Sequence, residues 1–250
     1  MAAGIALIAR NRRALTANGA VAAVVLGTIT GAAGWEWAIL LVAFFISATS
    51  FSRMDASRKA AITAGFAEKG GERDVLQVLA NGGVFGALAI LGLMSGNASW
   101  IVPAAGAIAA STSDTWATEI GTLTSGSARS ILDFRKVHPG TSGGVTMRGT
   151  LAAAAGAIFI SGLALLLGLP DEAIYASMAG GIGGSLMDSL LGATLQSKRW
   201  CGQCGSETER LTHTCGAMTT HKGGLRWLDN DGVNAISSLG GALLGAVFLL

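Results

Sequence analysis

The chain has 250 residues, of which 51% are hydrophobic and only 13% are charged. Soluble domains carry about 25% charged residues, so this composition excludes an ordinary soluble protein and indicates an integral membrane protein. The formal net charge of +2 is far from the strongly basic balance of a nucleic-acid-binding protein, and we expect no nucleic-acid partner.

Seven apolar segments are long enough to cross a membrane, which takes about 20 residues and at least roughly 17. They span 14–34, 35–51, 75–94, 99–121, 149–168, 171–196 and 232–250. We therefore predict one all-α membrane domain, residues 1–250, with seven transmembrane helices. The apolar stretch 1–9 is too short for a cleavable signal peptide, and we interpret it as the remnant of an extra helix or as an interfacial one.

The basic residues are confined to one side of this predicted arrangement. All 17 lysines and arginines lie near the N-terminus or in three long connections, 52–74, 122–148 and 197–230. Because cytoplasmic loops carry an excess of Lys and Arg, we predict that the N-terminus and these loops face the cytoplasm, which puts Leu250 outside. We expect the protein in the plasma (inner) membrane.

Similar short motifs begin at Asn18, Asn81 and Ser142, with a degenerate fourth copy at Asn234. The longer last spacing matches an insertion, the loop 197–230. This pattern indicates two-helix units repeated in parallel orientation, as found in other membrane folds. Chance similarity between Gly-rich helix starts explains the pattern equally well.

Several oxygen-bearing side chains lie at the cytoplasmic ends of different predicted helices. They are Asp114, Asp188, Asp231, Asn81 and Asn234. A charge at the edge of a membrane is costly unless it is paired, bound to a metal or facing water, so such a residue indicates function. Oxygen donors from separate helices are what a Mg²⁺–phosphate site requires. The alternative is an ion pair or a helix cap, a role that Asp229 and Asp231 could each take.

Helical spacing places three polar residues on one side of a predicted helix. Arg73, Gln77 and Asn81 follow one another at i, i+4 and i+8, so they share one face of the third predicted helix. Glu119 lies about 140° around its helix from Asp114, and we expect it to serve a neighbouring helix.

A glycine-rich stretch precedes the fifth predicted helix and follows the basic pair Arg135–Lys136. Its members are Gly140, Thr141, Ser142, Gly143 and Gly144. Gly-rich backbone at a helix start can bind phosphate through its N–H groups and the helix dipole. The sequence is not a Walker A motif. A flexible cytoplasmic loop would explain the basic pair Arg135–Lys136 equally well.

The loop 197–230 carries all three cysteines, in the pattern C-x2-C-x8-H-x-C. The four potential ligands are Cys201, Cys204, His213 and Cys215, and His221 is a substitute ligand. Thiolates and imidazole suit a tetrahedral, structural Zn²⁺ site in a reducing cytoplasm. The alternative is a set of free thiols in a mobile loop.

Five motifs in fixed order resemble those of the family of transmembrane protein 19, also called domain of unknown function 92. They are Lys69-Gly-Gly-Glu-Arg73-Asp74 with Asn81-Gly-Gly, Asp114-Thr-Trp-Ala-Thr-Glu119-Ile-Gly, Gly140-Thr-Ser-Gly-Gly-Val, Asp188-Ser-Leu-Leu-Gly-Ala-Thr-Leu-Gln196 and Asp229-Asn-Asp231-Gly-Val-Asn234. The resemblance covers essentially the whole chain, and Ser142 departs from it, since the family pattern has Asn there. That family includes phytyl-phosphate kinase.

The resemblance implies phosphoryl transfer from a nucleoside triphosphate to a polyprenyl-type lipid monophosphate, which gives the diphosphate. Asp114, Asp188 and Asp231 would then hold Mg²⁺, while Lys69, Arg73 and Lys136 would neutralise phosphate charge. Further contacts to substrate are expected from Asn81, Glu119, Gln196, Asn234 and the stretch Gly140 to Gly144. Two alternatives remain: a CTP-dependent lipid cytidylyltransferase, and a small-molecule transporter that uses the acids for alternating access.

Overall fold

The computed structural model describes residues 1–66, 71–123 and 128–250. These residues form nine α-helices. They are α1 (Ala2–Asn11), α2 (Ala17–Ala33), α3 (Trp35–Arg53), α4 (Ala56–Thr63), α5 (Val75–Ser95), α6 (Ile101–Thr122), α7 (Met147–Leu166), α8 (Asp171–Thr194) and α9 (Asn230–Ala246). Short 3₁₀ turns, Ala98–Trp100 and Val247–Leu249, precede α6 and follow α9.

Each of the seven predicted segments overlaps one of the long helices, and the expected mainly helical architecture is confirmed. Among the described residues, four helices are long and apolar enough to cross a membrane: α3, α5, α7 and α9 with its 3₁₀ extension. Helix α2 is apolar but has only 17 residues. Helices α6 and α8 are rich in small and polar residues, which lowers their hydropathy. The seven-span arrangement therefore stays a prediction.

Two helices lie outside the seven segments. The apolar stretch 1–9 belongs to α1, which packs on α2 through the buried Ala6 and Ala9. Helix α4 lies in the connection 52–74, which we had interpreted as a loop.

Helix α6 is the centre of the bundle, and it packs most extensively against α7, α8 and α9. Every residue from 101 to 113 is buried. Small residues permit this packing, because they let helix backbones approach closely. A Cβ atom on Gly106 would lie 2.4 Å from the carbonyl oxygen of Gly241 on α9, and one on Gly180 of α8 would lie 2.6 Å from the Cα atom of Gly106.

The connections contain two small antiparallel sheets that an all-α prediction leaves out. The first pairs β1 (Arg129–Ser130) with β2 (Gly144–Val145). The second has the order β4-β3-β5 and consists of β3 (Lys198–Cys201), β4 (Ser206–Thr208) and β5 (Thr220–Gly223). The loop 197–230 is thus a folded unit, in which β3 is the central strand.

The four repeat motifs do not occupy equivalent places in these helices. Asn18 is the second residue of α2, whereas Asn81 lies well inside α5 and Ser142 precedes α7. Asn234 lies in the second turn of α9. The local structure therefore gives the proposed parallel repeat no support.

Candidate functional site

A cavity of about 240 Å³ lies at the ends of α6 and α8 and the start of α7. It is lined by polar residues and glycines from these helices and from the connection before α7. The residues of our predicted site that line it are Asp114, Asp188, Gly140, Thr141, Ser142, Gly143, Gly144 and Gln196. We call this space the polar cavity.

The carboxyl groups of Asp114 on α6 and Asp188 on α8 are close enough to share a hydrogen bond. Ser237 on α9 donates a second hydrogen bond to Oδ2 of Asp188 at 2.9 Å. Two carboxylates at this separation repel each other unless a proton or a cation lies between them. The pair, with a neighbouring hydroxyl and room for phosphate oxygens, therefore has the donor set that Mg²⁺ prefers.

The glycine-rich stretch forms one wall of the polar cavity. Gly140 and Gly143 have φ angles of +87° and +76°, a region that favours glycine. A Cβ atom on Gly143 would lie 2.4 Å from that of Ala193, so only glycine fits against the end of α8. Thr146 then caps α7 by accepting a hydrogen bond from Gly149 N at 2.9 Å. The positive end of the α7 dipole thus faces this wall.

Asp229, and not Asp231, caps α9: its Oδ1 atom accepts a hydrogen bond from Gly232 N at 2.9 Å. Asp231 lies two residues further along the chain, in the first turn of α9, and is buried. It does not itself line the polar cavity, although the preceding Asn230 does. Asn234 is half-buried on the following turn.

Two predicted residues line a different space. Arg73 and Asn81 contact a smaller, apolar cavity between α1, α2, α3 and α5. Helix α6 connects the two regions, because Ser111 donates a hydrogen bond to the carbonyl oxygen of Asn81 at 2.8 Å. Burial lowers the pKa of Arg73, and the nearby carboxylate of Glu119 offsets only part of this shift.

Glu119 forms an ion pair with Lys59 of α4, with 2.6 Å between Oε2 and Nζ. Lys59 is 8% exposed and also donates to the carbonyl oxygen of Phe51 at 2.6 Å. Sequence reasoning missed Lys59, since it appears as one of several basic residues in a cytoplasmic connection. The expectation that Glu119 serves a neighbouring helix matches this contact.

Lys136, another basic candidate, does not line the polar cavity. Lys136 is exposed, and its backbone pairs with that of Arg129 in an isolated bridge. Lys69 lies outside the described residues.

The four predicted metal ligands are close together. Atoms of Cys201, Cys204, His213 and Cys215 lie within 4.8 Å of one another, with 3.7 Å between the sulfurs of Cys201 and Cys215. With Zn–S bonds of about 2.3 Å, sulfurs on a tetrahedral zinc ion are roughly 3.8 Å apart, so this group fits a metal ion. His221 lies outside the cluster.

Glu209 connects the metal-binding loop to the polar cavity. Its Oε1 atom accepts hydrogen bonds from Ser142 Oγ and from Gln196 Nε2, the latter at 2.9 Å. Its backbone N–H donates to the carbonyl oxygen of Phe66 at 3.0 Å. Ser142 and Gln196 both line the cavity. Glu209 was not predicted, because its sequence neighbours suggest only a loop carboxylate.

Comparison with known proteins identifies the family. A family model described as integral membrane protein DUF92 matches residues 1–242. The chain belongs to this family. The resemblance to this family is thereby confirmed.

Individual relatives come from plants and archaea. Protein PGR of Arabidopsis thaliana is 31% identical over 94% of this chain and 89% of its own length. An uncharacterized membrane protein of Methanocaldococcus jannaschii is 35% identical over 78% of this chain and 80% of its own. The chloroplastic protein VTE6 of A. thaliana is 29% identical over 94% of this chain and 66% of its own. No solved structure matches the chain.

Proposed function

We propose that the protein transfers a phosphoryl group from a nucleoside triphosphate to a polyprenyl-type lipid monophosphate, such as phytyl phosphate. The observation that carries this proposal is the Asp114–Asp188 pair, which lies in one cavity with a glycine-rich stretch at a helix start. Carboxylates for Mg²⁺ and backbone N–H groups for phosphate are the parts that phosphoryl transfer needs. Membership of a family that includes phytyl-phosphate kinase supports the lipid acceptor.

In the proposed reaction, an oxygen of the acceptor phosphate attacks the terminal phosphorus of the nucleotide. The bond from that phosphorus to the bridging oxygen breaks, and the products are a lipid diphosphate and a nucleoside diphosphate. A phosphate monoester is already ionised at neutral pH (second pKa about 6), so no general base is required. Positioning and electrostatic stabilisation then account for catalysis.

The predicted site residues, in the polar cavity and elsewhere in the chain, each have a role in this proposal. Asp114 and Asp188 would hold Mg²⁺, with Asp231 proposed as the third ligand, and the bound ion would neutralise charge on the nucleotide phosphates. Gly140, Thr141, Ser142, Gly143 and Gly144 bind phosphate oxygens, while Gln196 and Asn234 fix substrate. Arg73, with Lys69 and Lys136 from the flanking connections, offsets charge on donor and acceptor.

We further propose that the metal-binding cluster holds a structural Zn²⁺, because four protein ligands close a tetrahedral shell. Seven membrane crossings, with the basic connections and the polar cavity on the cytoplasmic side of the plasma membrane, complete the proposal. The acceptor would then reach the site from the bilayer and the nucleotide from the cytoplasm.

Incubation of the purified protein with nucleoside triphosphates and a panel of prenyl monophosphates tests the function. We expect the lipid diphosphate and a nucleoside diphosphate in equal amounts, in a Mg²⁺-dependent reaction. Release of inorganic pyrophosphate with CTP would instead indicate cytidylyl transfer. Uptake of a solute into liposomes without nucleotide, and no product in either assay, would indicate a transporter.

A further inference from the structure

A further cavity, of about 520 Å³, adjoins the polar cavity. Its walls come from three parts of the chain: the end of α4 with the turn after it, the connection before α7, and β4. We call this space the loop cavity, and its lining includes Ala61, Ile62, Phe66, Val137, His138 and Ser206. Sites for small molecules usually have volumes of about 300–1,000 Å³. The loop cavity is therefore large enough to hold a small organic ligand.

The loop cavity and the polar cavity share the lining residue Thr141, a member of the glycine-rich stretch. Thr141 N donates to the carbonyl oxygen of His138 at 3.1 Å, and Gly144 N donates to that of Thr141 at 2.8 Å. Thr141 is thus held between two successive turns. A ligand whose phosphates lie along the glycine-rich stretch can therefore extend directly into the loop cavity.

Contacts between the three connecting segments hold the loop cavity in shape. A Cβ atom on Gly140 would lie 2.9 Å from Cγ2 of Thr63, so α4 packs tightly on the glycine-rich stretch. The carbonyl oxygen of Phe66 accepts hydrogen bonds from Glu209 N at 3.0 Å and from Thr208 Oγ1 at 3.3 Å. These bonds attach the metal-binding loop to the turn after α4. A site that is already formed binds its ligand at a lower cost in ordering.

The lining of the loop cavity suits a planar, uncharged group. Ile62 and Val137 are half-buried hydrophobic residues, and Phe66, also half-buried, has an aromatic ring on which a base can stack. His138 Nδ1 donates to the carbonyl oxygen of Pro139 at 2.8 Å, since a carbonyl oxygen can only accept. In the neutral ring Nε2 is then an acceptor, and it can bind an amino group of a base or a hydroxyl group of ribose.

The charges around the loop cavity argue against a phosphate group inside it. None of its described lining residues is a lysine or an arginine. Glu207 also lines it, but this carboxylate is exposed and paired with Lys222, so we assign it no contact with a ligand. A hydrocarbon chain is disfavoured as well, because the walls belong to connections and not to the long apolar helices.

We infer that the loop cavity binds the nucleoside part of the donor nucleotide, whose phosphates pass Thr141 to reach the Asp114–Asp188 pair. This inference rests on the proposed function and adds the place of the base and the ribose. The polar cavity then contains only the reacting phosphates and their metal ion. Donor and acceptor phosphates can therefore meet there, as attack on the terminal phosphorus requires.

Photo-crosslinking of the full-length protein tests the inference without acceptor and therefore without turnover. The probes are 8-azido-ATP and 5-azido-UTP, one purine and one pyrimidine nucleotide, each with Mg²⁺. We expect cross-links to Phe66, Val137 or His138. The unlabelled nucleotide should compete, and inorganic triphosphate should compete about tenfold less well or worse, because it has no base to stack. Cross-links only elsewhere, no cross-link with either probe, or equal competition by triphosphate would overturn the inference.

Two substitutions on α4 form a matched pair. Ala61→Trp fills the loop cavity and should weaken the cross-link about tenfold or more. Ala60→Trp is the control and should leave it unchanged, since Ala60 is the neighbouring residue, is equally classed as exposed and does not line the cavity. Equal cross-linking in both variants would contradict the inference.

Phe66 provides a second, independent pair. Phe66→Ala removes the ring and should weaken the cross-link about tenfold, whereas Phe66→Tyr keeps the ring and should restore it. An unchanged cross-link in Phe66→Ala would count against base stacking at this position. A protein that cross-links in the loop cavity but transfers no phosphoryl group would disprove only the proposed function. Phosphoryl transfer with the base cross-linked elsewhere would disprove only this inference.

Discussion

The acid pair and the metal-binding cluster are two groups of potential metal ligands that the chain assembles in opposite ways. Asp114 and Asp188 are 74 positions apart in sequence and meet only because α6 and α8 pack closely. The four ligands of the cluster lie within fifteen consecutive residues, at the end of β3 and in the connections of one small sheet. A local cluster depends on its own turn and strands, whereas a distributed pair depends on the whole bundle. Mutations in the two groups should therefore have different effects: those in the acid pair should lower activity, and those in the cluster should remove the metal and destabilise the local sheet.

The largest expected effect is on phosphoryl transfer in Asp114→Asn, Asp188→Asn and Asp231→Asn. Each change keeps the shape of the side chain and removes one charge, and we expect the rate to fall by about 10²-fold or more, because electrostatic stabilisation is usually the largest catalytic contribution. Folding should persist, since a charge near the membrane is costly. The rates of the single variants and of the Asp114→Asn/Asp188→Asn double variant provide the measurement.

The losses of Asp114→Asn and Asp188→Asn should not add in that double variant, because residues that act as a unit are not independent. Near-normal rates in both single variants would remove the proposed Mg²⁺ site. Asp229→Asn is the control at the same end of α9 as Asp231.

The next largest effect concerns the cluster, where Cys204→Ser should lower the metal content from about one ion per chain to near zero. Metal analysis measures this directly. Hydrogen exchange should show loss of protection in β3, β4 and β5, while α6 to α8 keep theirs. His221→Asn is the control, because His221 lies in the same sheet but outside the cluster. Full metal content in Cys204→Ser would disprove the assignment.

A smaller effect is expected where the two regions meet. Glu209→Gln weakens the hydrogen bonds that Ser142 and Gln196 donate to this side chain. These two residues line the polar cavity, so its wall should become less well ordered. We expect the nucleotide KM to rise roughly tenfold, the scale of one charged hydrogen bond, with metal content unchanged. Glu207→Gln is the matched control, since Glu207 is exposed and pairs only with Lys222 among the described residues. An equal effect in both variants would contradict a specific role of Glu209.

The smallest effect is expected for Asp229→Asn. Asparagine caps a helix about as well as aspartate, so both stability and activity should stay near those of the wild type. Asp229→Ala should instead cost about 1 kcal/mol of unfolding free energy. Thermal denaturation in detergent distinguishes the two, and a large loss of activity in Asp229→Asn would give this residue a role beyond capping.

The sequence was most informative where the signal is local. Spacing alone predicted the cysteine cluster, and apolar segments predicted the seven long helices. The convergence of Asp114 and Asp188 was a hypothesis from their matching positions at helix ends, and the structure brings them together. Arg73 and Asn81 had been placed in the same site, yet they line another cavity, because α6 lies between the two spaces.

Other features could not be predicted from one sequence because they depend on contacts between distant segments. Lys59 contacts Glu119 across 60 positions, and Glu209 contacts Ser142 across 67. Nothing in the residues around Lys59 or Glu209 distinguishes them from other loop charges. The strands β3 to β5 were missed for a similar reason, since they are only three or four residues long and lie among the glycines and cysteines of a loop.

The packing of Gly106 against Gly180 and Gly241 has a consequence for how this protein tolerates change. One added methyl group at Gly106 would clash with backbone atoms of both neighbouring helices. It would push these helices away from α6 at a point about 12 Å along the helix from Asp114. Misplacement of reacting groups by 1 Å can cost about 10²-fold in rate. The most sensitive positions for activity can therefore be residues without any functional group, deep in the bundle and out of reach of every substrate.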